Sequence, residues 1–200
     1  ERIGYPVLLK ASAGGGGRGM RVANDPAEVE AGFERASAEA LAAFGDGTLF
    51  MERFVPEARH VEVQLMGDGR GNVVHFGERD CSVQRRYQKL IEEAPCAAMP
   101  AKLRRSLHEA AVALAKSVNY RNAGTAEFLF DVARGEVYFI EVNARIQVEH
   151  PVSEMITGFD LVQEQIRIAG GASLSVAQQD VKPRGHAIEC RINAEDVTRS

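Results

Sequence analysis

GTAEFLFDVARGEVYFIEVNARIQVEHP (Gly124–Pro151) decides how the rest of the chain reads. Polar and apolar residues alternate on both sides of Arg134-Gly135, which predicts two antiparallel strands, 126–131 and 137–145, around a turn. Period two puts Glu127, Leu129 and Asp131 on one face of the first strand, with Ala126, Phe128 and Phe130 on the other. In the return strand Glu141, Asn143 and Arg145 share a face opposite Ile140, Val142 and Ala144. A turn centred on Arg134 sets Glu127 directly across from Glu141, at a Cβ separation of roughly 4.5–5.5 Å. Facing carboxylates repel unless a cation lies between them. Mg²⁺ suits that position: it takes one or two carboxylates together with nucleotide phosphates, and Asn143 offers another oxygen. The bland alternative is a solvated polar face. Against it stands the run of strong polar groups at alternate positions, Glu141, Asn143, Arg145 and Gln147, leading into Glu149-His150-Pro151, which reads as a reaction floor.

Working outward, Val61–Leu65 alternates, turns through Gly67–Asn72 and returns as Val73–Phe76, a hairpin. The polar, arginine-rich stretch from Arg79 to Lys89 reads as loop. A helix is predicted over 102–118 with Leu103, Leu107, Ala110, Leu114 and Val118 inward, and another from about Leu161 to Gly170-Gly171. Asp25-Pro26-Ala27-Glu28 is a helix start, followed by a stripe of Val29, Phe33, Ala36, Ala40 and Phe44 that stops at Gly45-Asp46-Gly47. Strands are predicted at 6–11, 20–23, 48–55 and 185–193. The class is α+β, with largely antiparallel sheets and flanking helices.

Composition agrees with a packed core: 200 residues, 45 % hydrophobic and 26 % charged, with a net charge of −4. That balance argues against a general nucleic-acid binder, and no apolar run approaches the roughly 18 residues of a membrane span. Three scattered cysteines, Cys81, Cys96 and Cys190, read as reduced thiols in a cytoplasmic compartment, or the mitochondrial matrix in a eukaryote. The chain opens at Glu1 and closes on Ser200 with nothing resembling a leader or tail, and reads as a piece of a longer polypeptide.

Gly14–Gly19 satisfies G-x-G-x-x-G. A P-loop fails, because Met20-Arg21 stands where lysine and Ser/Thr belong; a dinucleotide turn fails, because no helix begins before Asp25. A loop between two strands remains, either a flap whose bare N–H groups approach phosphate oxygens, with Lys10 as a point charge, or a merely flexible hairpin tip.

Taken together, the residues resemble the biotin carboxylase component of the biotin-dependent carboxylases, in the ATP-grasp superfamily. The strings that carry the likeness are Lys10-Ala11-Ser12 with GGGGRGMR (Gly14–Arg21), Met51-Glu52-Arg53, Arg59-His60-Val61-Glu62, ERDCSVQRR (Glu78–Arg86), Gln88-Lys89, EEAP (Glu92–Pro95), GTAEF (Gly124–Phe128), FIEVNARIQVEHPVSEMITG (Phe139–Gly158) and GHAIECRINAED (Gly185–Asp196). They span essentially the whole chain. The likeness implies an ATP-grasp fold incomplete at both ends, with a small lid subdomain over 1–55 and a truncated large subdomain over 56–200. It implies ATP-dependent carboxylation of biotin on a carrier, from bicarbonate through carboxyphosphate, in an acyl-CoA, pyruvate or related carboxylase. Lys10 and the flap glycines (Gly14, Gly15, Gly16, Gly17, Gly19) would hold phosphates, Glu52 the adenine, and His60 the ribose region, with Gln84 and Tyr87 lining the nucleotide site. Glu127, Glu141 and Asn143 would hold Mg²⁺ or Mn²⁺. Lys89, Arg145, Gln147 and the Val148 backbone would bind bicarbonate, Glu149 would be its general base, and Arg191 would stabilise the biotin enolate. The implied partners are a biotin carboxyl carrier, a carboxyltransferase and further copies of the full-length protein, without nucleic acid or membrane.

Two positions depart from the family pattern: Tyr87 stands where histidine is expected, and Arg53 where lysine is commoner. Arg79, Arg85 and Arg86 lack the interleaved aromatics of a nucleic-acid platform. His75 and His108 read as surface or helix-face residues, and Cys81 and Cys190 as non-catalytic. One alternative is a related ligase acting on another acid. The other is a nucleotide-binding fragment of an ATP-grasp ligase without activity of its own.

Overall fold

The computed structural model describes residues 3–13 and 20–194 together with Asp196 and Thr198. The chain divides into two compact units, 1–56 and 57–200. The proposed flap, Gly14–Gly19, lies outside the described residues.

In the first unit, β1 (Val7–Ala11) is the middle strand of an antiparallel sheet, between β2 (Arg21–Ala23) and β3 (Leu49–Arg53). Helix α1 (Pro26–Phe44) starts as the sequence dictates. Asp25 Oδ1 accepts from the Glu28 N–H at 2.8 Å, and the Glu28 carboxylate reaches back to the Asn24 N–H at 2.8 Å. Gly45, at φ 75°, ends it. The buried stripe is narrower than predicted. Ala36 and Ala40 are buried, while Phe33 keeps 47 % of its surface exposed. The helix lies close on β1: a Cβ at Gly32 would sit 3.2 Å from Leu9 Cδ1, leaving room for alanines and none for a phenyl ring.

The second unit runs β4 (Ala58–Asp68), β5 (Val73–Arg85), β6 (Gln88–Ala94), α2 (Ala101–Ser117), β7 (Arg121–Asp131), β8 (Glu136–Asn143), α3 (His150–Thr157), α4 (Leu161–Ala169) and β9 (Ala187–Cys190). The strands form one sheet in the order β8-β7-β4-β5-β6-β9, every neighbouring pair antiparallel. Alternation on β4 and β7 sends Val61, Val63, Leu65, Ala126, Phe128 and Phe130 to one face. There they pack under Leu107, Ala111 and Ala115 of α2. On the other face Met66, Val74, Phe76 and Ala123 pack against Leu161 and Ile168 of α4, and Val152 and Ile156 of α3 pack against Ala94. Between these apolar clusters the second face carries a polar strip.

Four local expectations are corrected. Residues 79–89 are not a loop: β5 and β6 occupy them, joined at Arg86-Tyr87, where φ is 51° and 64°, the left-handed pair of a tight hairpin turn. Strand β5 escapes the sequence pattern because it is covered on both faces and carries polar residues toward each. The inward line of α2 runs Leu107, Ala111, Ala115, an i, i+4 series; Ala110, Leu114 and Val118 turn outward, Val118 at 65 % exposure. Strand β8 ends at Asn143, so Arg145, Gln147 and Glu149 stand in the turn before α3, a helix that the sequence reading lacks. Strand β9 has four residues instead of nine. Among the described residues no helix is long and apolar enough to cross a membrane.

Candidate functional site

The register of the second sheet lines up charge. Arg79 on β5 pairs with Glu62 on β4, Glu62 with Glu127 on β7, and Glu127 with Glu141 on β8. One row across four strands therefore reads plus, minus, minus, minus. The facing of Glu127 and Glu141 is the one that strand period and the Arg134 turn require; a bulge beyond it pairs Phe128 with Phe139 and leaves Ile140 over. Neighbouring carboxylates at ladder spacing are unstable alone, so the row must draw in cations. Lys89 answers from β6. Its Nζ lies 2.5 Å from Glu62, 2.6 Å from Glu149 and 3.2 Å from Glu127. Burial works against the Lys89 charge, yet the surrounding carboxylates, Glu62 foremost, raise its pKa.

Glu127 accepts from four side chains. Its Oε1 accepts from Asn143 Nδ2 at 3.0 Å and Gln147 Nε2 at 3.0 Å, besides Lys89. Its Oε2 meets His60 Nε2 at 2.9 Å, and His60 Nδ1 accepts from Gln84 Nε2 at 2.8 Å, which leaves the proton on Nε2. Burial alone would raise the Glu127 pKa. The His60 hydrogen bond and the Lys89 charge outweigh it and bring the group down to about 2. Glu62 behaves alike: burial opposes its charge, and Arg79 and Lys89 together hold its pKa below the ordinary value.

Glu149, 2 % exposed, stands at the position before α3. Lys89 holds its Oε1, and Arg191 Nη2 holds its Oε2 at 2.9 Å. Arg191, just past β9, also gives Nε to Glu92 at 2.7 Å. Glu92 is wholly buried; burial raises its pKa against the pull of Arg191, and its Oε2 has no hydrogen bond among the described residues.

These groups open on a cleft of about 430 Å³, lined by Tyr87, Lys89, Glu127, Glu141, Asn143, Arg145, Gln147, Val148, Glu149 and Arg191. Arg145 is exposed, bonded to its neighbouring Ile146 carbonyl at 3.2 Å, and holds no carboxylate among the described residues. Asn143 Nδ2 bridges Glu127 and Glu141, at 3.0 and 3.4 Å. Two carboxylates and an amide at the mouth of a cleft form an all-oxygen donor set once the amide turns its oxygen inward, which fits a hard divalent cation. His60, Glu62 and Glu127 also place ligand atoms within 4.8 Å of one another, the space that Lys89 serves.

So the structure brings together, in one unit, every residue that the sequence reading assigned to metal, bicarbonate and base, with His60, Gln84 and Tyr87 beside them. In the first unit Lys10 on β1 and Glu52 on β3 form an ion pair of 2.5 Å, diagonal across the ladder. The sequence reading missed Glu62, Glu92 and Arg79. The alternation of Val61–Leu65 already put Glu62 and Gln64 on one face; what it lacked was the knowledge that α3 and α4, about 90 residues later in the chain, bury that face. Arg79, expected in a loop, is 0 % exposed. His75 and His108, expected on the surface or on a helix face, are half-buried: His108 lies on a face of α2, the two rings meet tilted with centroids 4.1 Å apart, and His108 Nε2 meets buried Glu78 at 2.7 Å. Cys81 is buried, and burial drives its thiol pKa far upward, which leaves it inert as a nucleophile.

The family described as carbamoyl-phosphate synthase L chain, ATP binding domain, matches residues 1–177. A chloroplastic biotin carboxylase from Arabidopsis thaliana is 58 % identical over 196 residues, which is 98 % of this chain and 36 % of the relative. A pyruvate carboxylase from Aspergillus niger is 57 % identical over 202 residues, 100 % of this chain and 17 % of the relative. The biotin carboxylase domain dimer of a 2-oxoglutarate carboxylase from Hydrogenobacter thermophilus, solved with ADP, magnesium and bicarbonate, superposes with a TM-score of 0.91 at 52 % identity, over 99 % of this chain and 44 % of that one. The chain thus spans less than half the length of each.

Proposed function

Because the chain belongs to the family of carbamoyl-phosphate synthase L chain ATP-binding domains, and within it matches biotin carboxylases throughout, we propose that the full-length protein is an ATP-dependent ligase that carboxylates biotin on a carrier, with bicarbonate as the carbon source and carboxyphosphate as the intermediate. The observation that carries the reading is Glu149, a buried carboxylate held by Lys89 and Arg191 at the floor of a cleft whose rim is the Glu127–Glu141 pair.

Bicarbonate is a weak nucleophile. A base within reach of its proton raises its reactivity, and Glu149 is the carboxylate placed for that proton. Arg145, whose guanidinium holds no carboxylate among the described residues, and the Gln147 amide and Val148 backbone beside it, suit a planar anion. Glu127, Glu141 and Asn143 would hold Mg²⁺ or Mn²⁺, which supplies charge neutralisation at the transferring phosphoryl group. Arg191 already holds one carboxylate oxygen of Glu149; the same fork suits the ureido oxygen of biotin as the nitrogen is deprotonated. His60, Gln84 and Tyr87 line the nucleotide side. In the first unit, Lys10 and Glu52 take the phosphate and adenine roles that the family pattern gives them. The carrier, a carboxyltransferase and further copies of the protein are the proposed partners.

The test is ATP hydrolysis by the full-length protein. It should require bicarbonate and Mg²⁺ and rise on addition of free biotin. Hydrolysis stimulated by ammonia or another acid, and indifferent to biotin, contradicts the reading and favours a related ligase.

A further inference from the structure

Arg79 reaches no cleft, and yet it touches the groups that do. It is wholly buried, and each of its five N–H donors is spent. Nε bonds Glu62 Oε1 at 2.6 Å. Nη1 bonds Gln64 Oε1 at 2.6 Å and Ser153 Oγ at 3.0 Å. Nη2 bonds Thr125 Oγ1 and Gln147 Oε1, both at 3.3 Å. Three strands, the turn after β8 and helix α3 thus meet on one guanidinium.

Two of those partners are bifunctional. Glu62 gives its first oxygen to Arg79 and its second to Lys89, at 2.5 Å, and Lys89 in turn holds Glu149. Gln147 gives its oxygen to Arg79, which orients its amide nitrogen toward Glu127, at 3.0 Å. An amide with no such anchor is free to rotate by half a turn and would then set an oxygen against the Glu127 carboxylate. We infer that Arg79 is a positioning residue for the carboxylation reaction: by one arm of its fork it sets Glu62, and through it the Lys89–Glu149 pair, and by the other it sets the Gln147 amide that faces Glu127. The inference rests on the function proposed above. Lysine cannot replace it, because a single ammonium cannot aim donors at five acceptors on two strands, a turn and a helix. Nor is the role one of charge alone, since Lys89 already supplies a cation to the same Glu62.

Two variants of the full-length protein test it, with thermal melts and steady-state kinetics of bicarbonate-dependent ATP hydrolysis. Arg79→Lys keeps the charge and loses the fork. The double variant Arg79→Met with Glu62→Gln removes both buried charges and leaves neither unpaired. Both should melt cooperatively. Both should lose about tenfold or more in kcat while the KM for ATP moves by less than about threefold, the pattern of a misplaced reacting group rather than of lost ATP binding. A double variant that turns over within about threefold of the unsubstituted protein overturns the inference, because Arg79 would then serve only to neutralise Glu62. Normal turnover in Arg79→Lys overturns it as well, and so does loss of the cooperative melt in both variants, which makes Arg79 a folding residue. If the unsubstituted full-length protein shows no bicarbonate-dependent hydrolysis, the proposed function fails and this inference with it.

Discussion

Glu78 and Arg79 are adjacent on β5 and point to opposite faces of one sheet, and the two faces handle buried charge in opposite ways. Under α2, each buried carboxylate is matched by its own donors: Asp80 is held by Arg59 Nη1 at 2.6 Å and the Ser82 N–H at 3.1 Å. Glu78 accepts from Arg104 Nε at 2.7 Å, His108 Nε2 at 2.7 Å and the Cys96 N–H at 3.1 Å. Burial works against its charge, but His108 and Arg104 hold its pKa below the ordinary value. On the cleft face the proportion is reversed. Glu62, Glu92, Glu127, Glu141 and Glu149 outnumber the three cations bonded among them, Arg79, Lys89 and Arg191. A closed cluster balances itself; a cluster left short of positive charge at the mouth of a cleft is built for cations that arrive from outside.

The comparison breaks most visibly at Glu149. In the full-length protein, Glu149→Gln should lower bicarbonate-dependent ATP hydrolysis by about 100-fold or more, within the range of general-base contributions, with Mg-nucleotide binding nearly unchanged. Undiminished turnover would remove the base from the account. On the other face, Glu78→Gln should cost about 1–3 kcal/mol of stability through weakened charge-assisted bonds, read by urea melts. Its turnover at a temperature well below the melt should stay within about threefold. A collapse of turnover in Glu78→Gln would erase the distinction between the faces.

Acid separates the faces next. His75 lies against His108, with Glu78 beyond, and burial together with the His108 charge lowers its pKa to about 4. The fold therefore favours its neutral form, so the stability this gives is complete above the unfolded value near 6.5 and is lost as pH falls from there toward 4. Glu127 is also depressed, to about 2, but its contribution is complete above about 4.5 and lost only as pH falls toward 2. Acidification from pH 7 to 4.5 should thus weaken the α2 face while the cleft face holds. Urea melts over that interval should show a loss on the order of 2–3 kcal/mol that His75→Gln largely abolishes. An unchanged slope in that variant would assign the loss to other groups.

The smallest effect is expected at Tyr87. It is 64 % exposed at the tip of the β5–β6 turn and, among the described residues, makes no side-chain hydrogen bond to the charged row. Tyr87→His should change nucleotide affinity by less than about threefold by calorimetry. A tenfold change would show that the turn residue is a principal nucleotide contact.

How much of this was readable in advance depended on what covers each strand. Glu127 and Glu141 were legible because the sequence alternates polar and apolar residues along both arms and a short turn sets their register. Strand β5 was not, because Glu78 and Asp80 go under α2 while Arg79 and Cys81 go to the other face, and a strand polar on both sides looks like a loop. Helix α3 was not, because eight residues opening on His150-Pro151 give too few turns for a helical period to show. Specific strings such as RIQVEH carried the site residues past these gaps. Arg79 lay inside one of those strings and was still misread, since its burial follows from helices that come much later in the chain.

The claim on which the account turns is that the cleft face lacks positive charge that a divalent ion supplies. Mn²⁺ binding to the full-length protein in the presence of ADP, followed by the loss of the free-ion paramagnetic resonance signal, tests it directly. Glu127→Gln and Glu141→Gln should each weaken binding by about tenfold or more relative to the unsubstituted protein, whereas Glu78→Gln should leave it unchanged. Equal Mn²⁺ affinity in all four proteins would contradict the account.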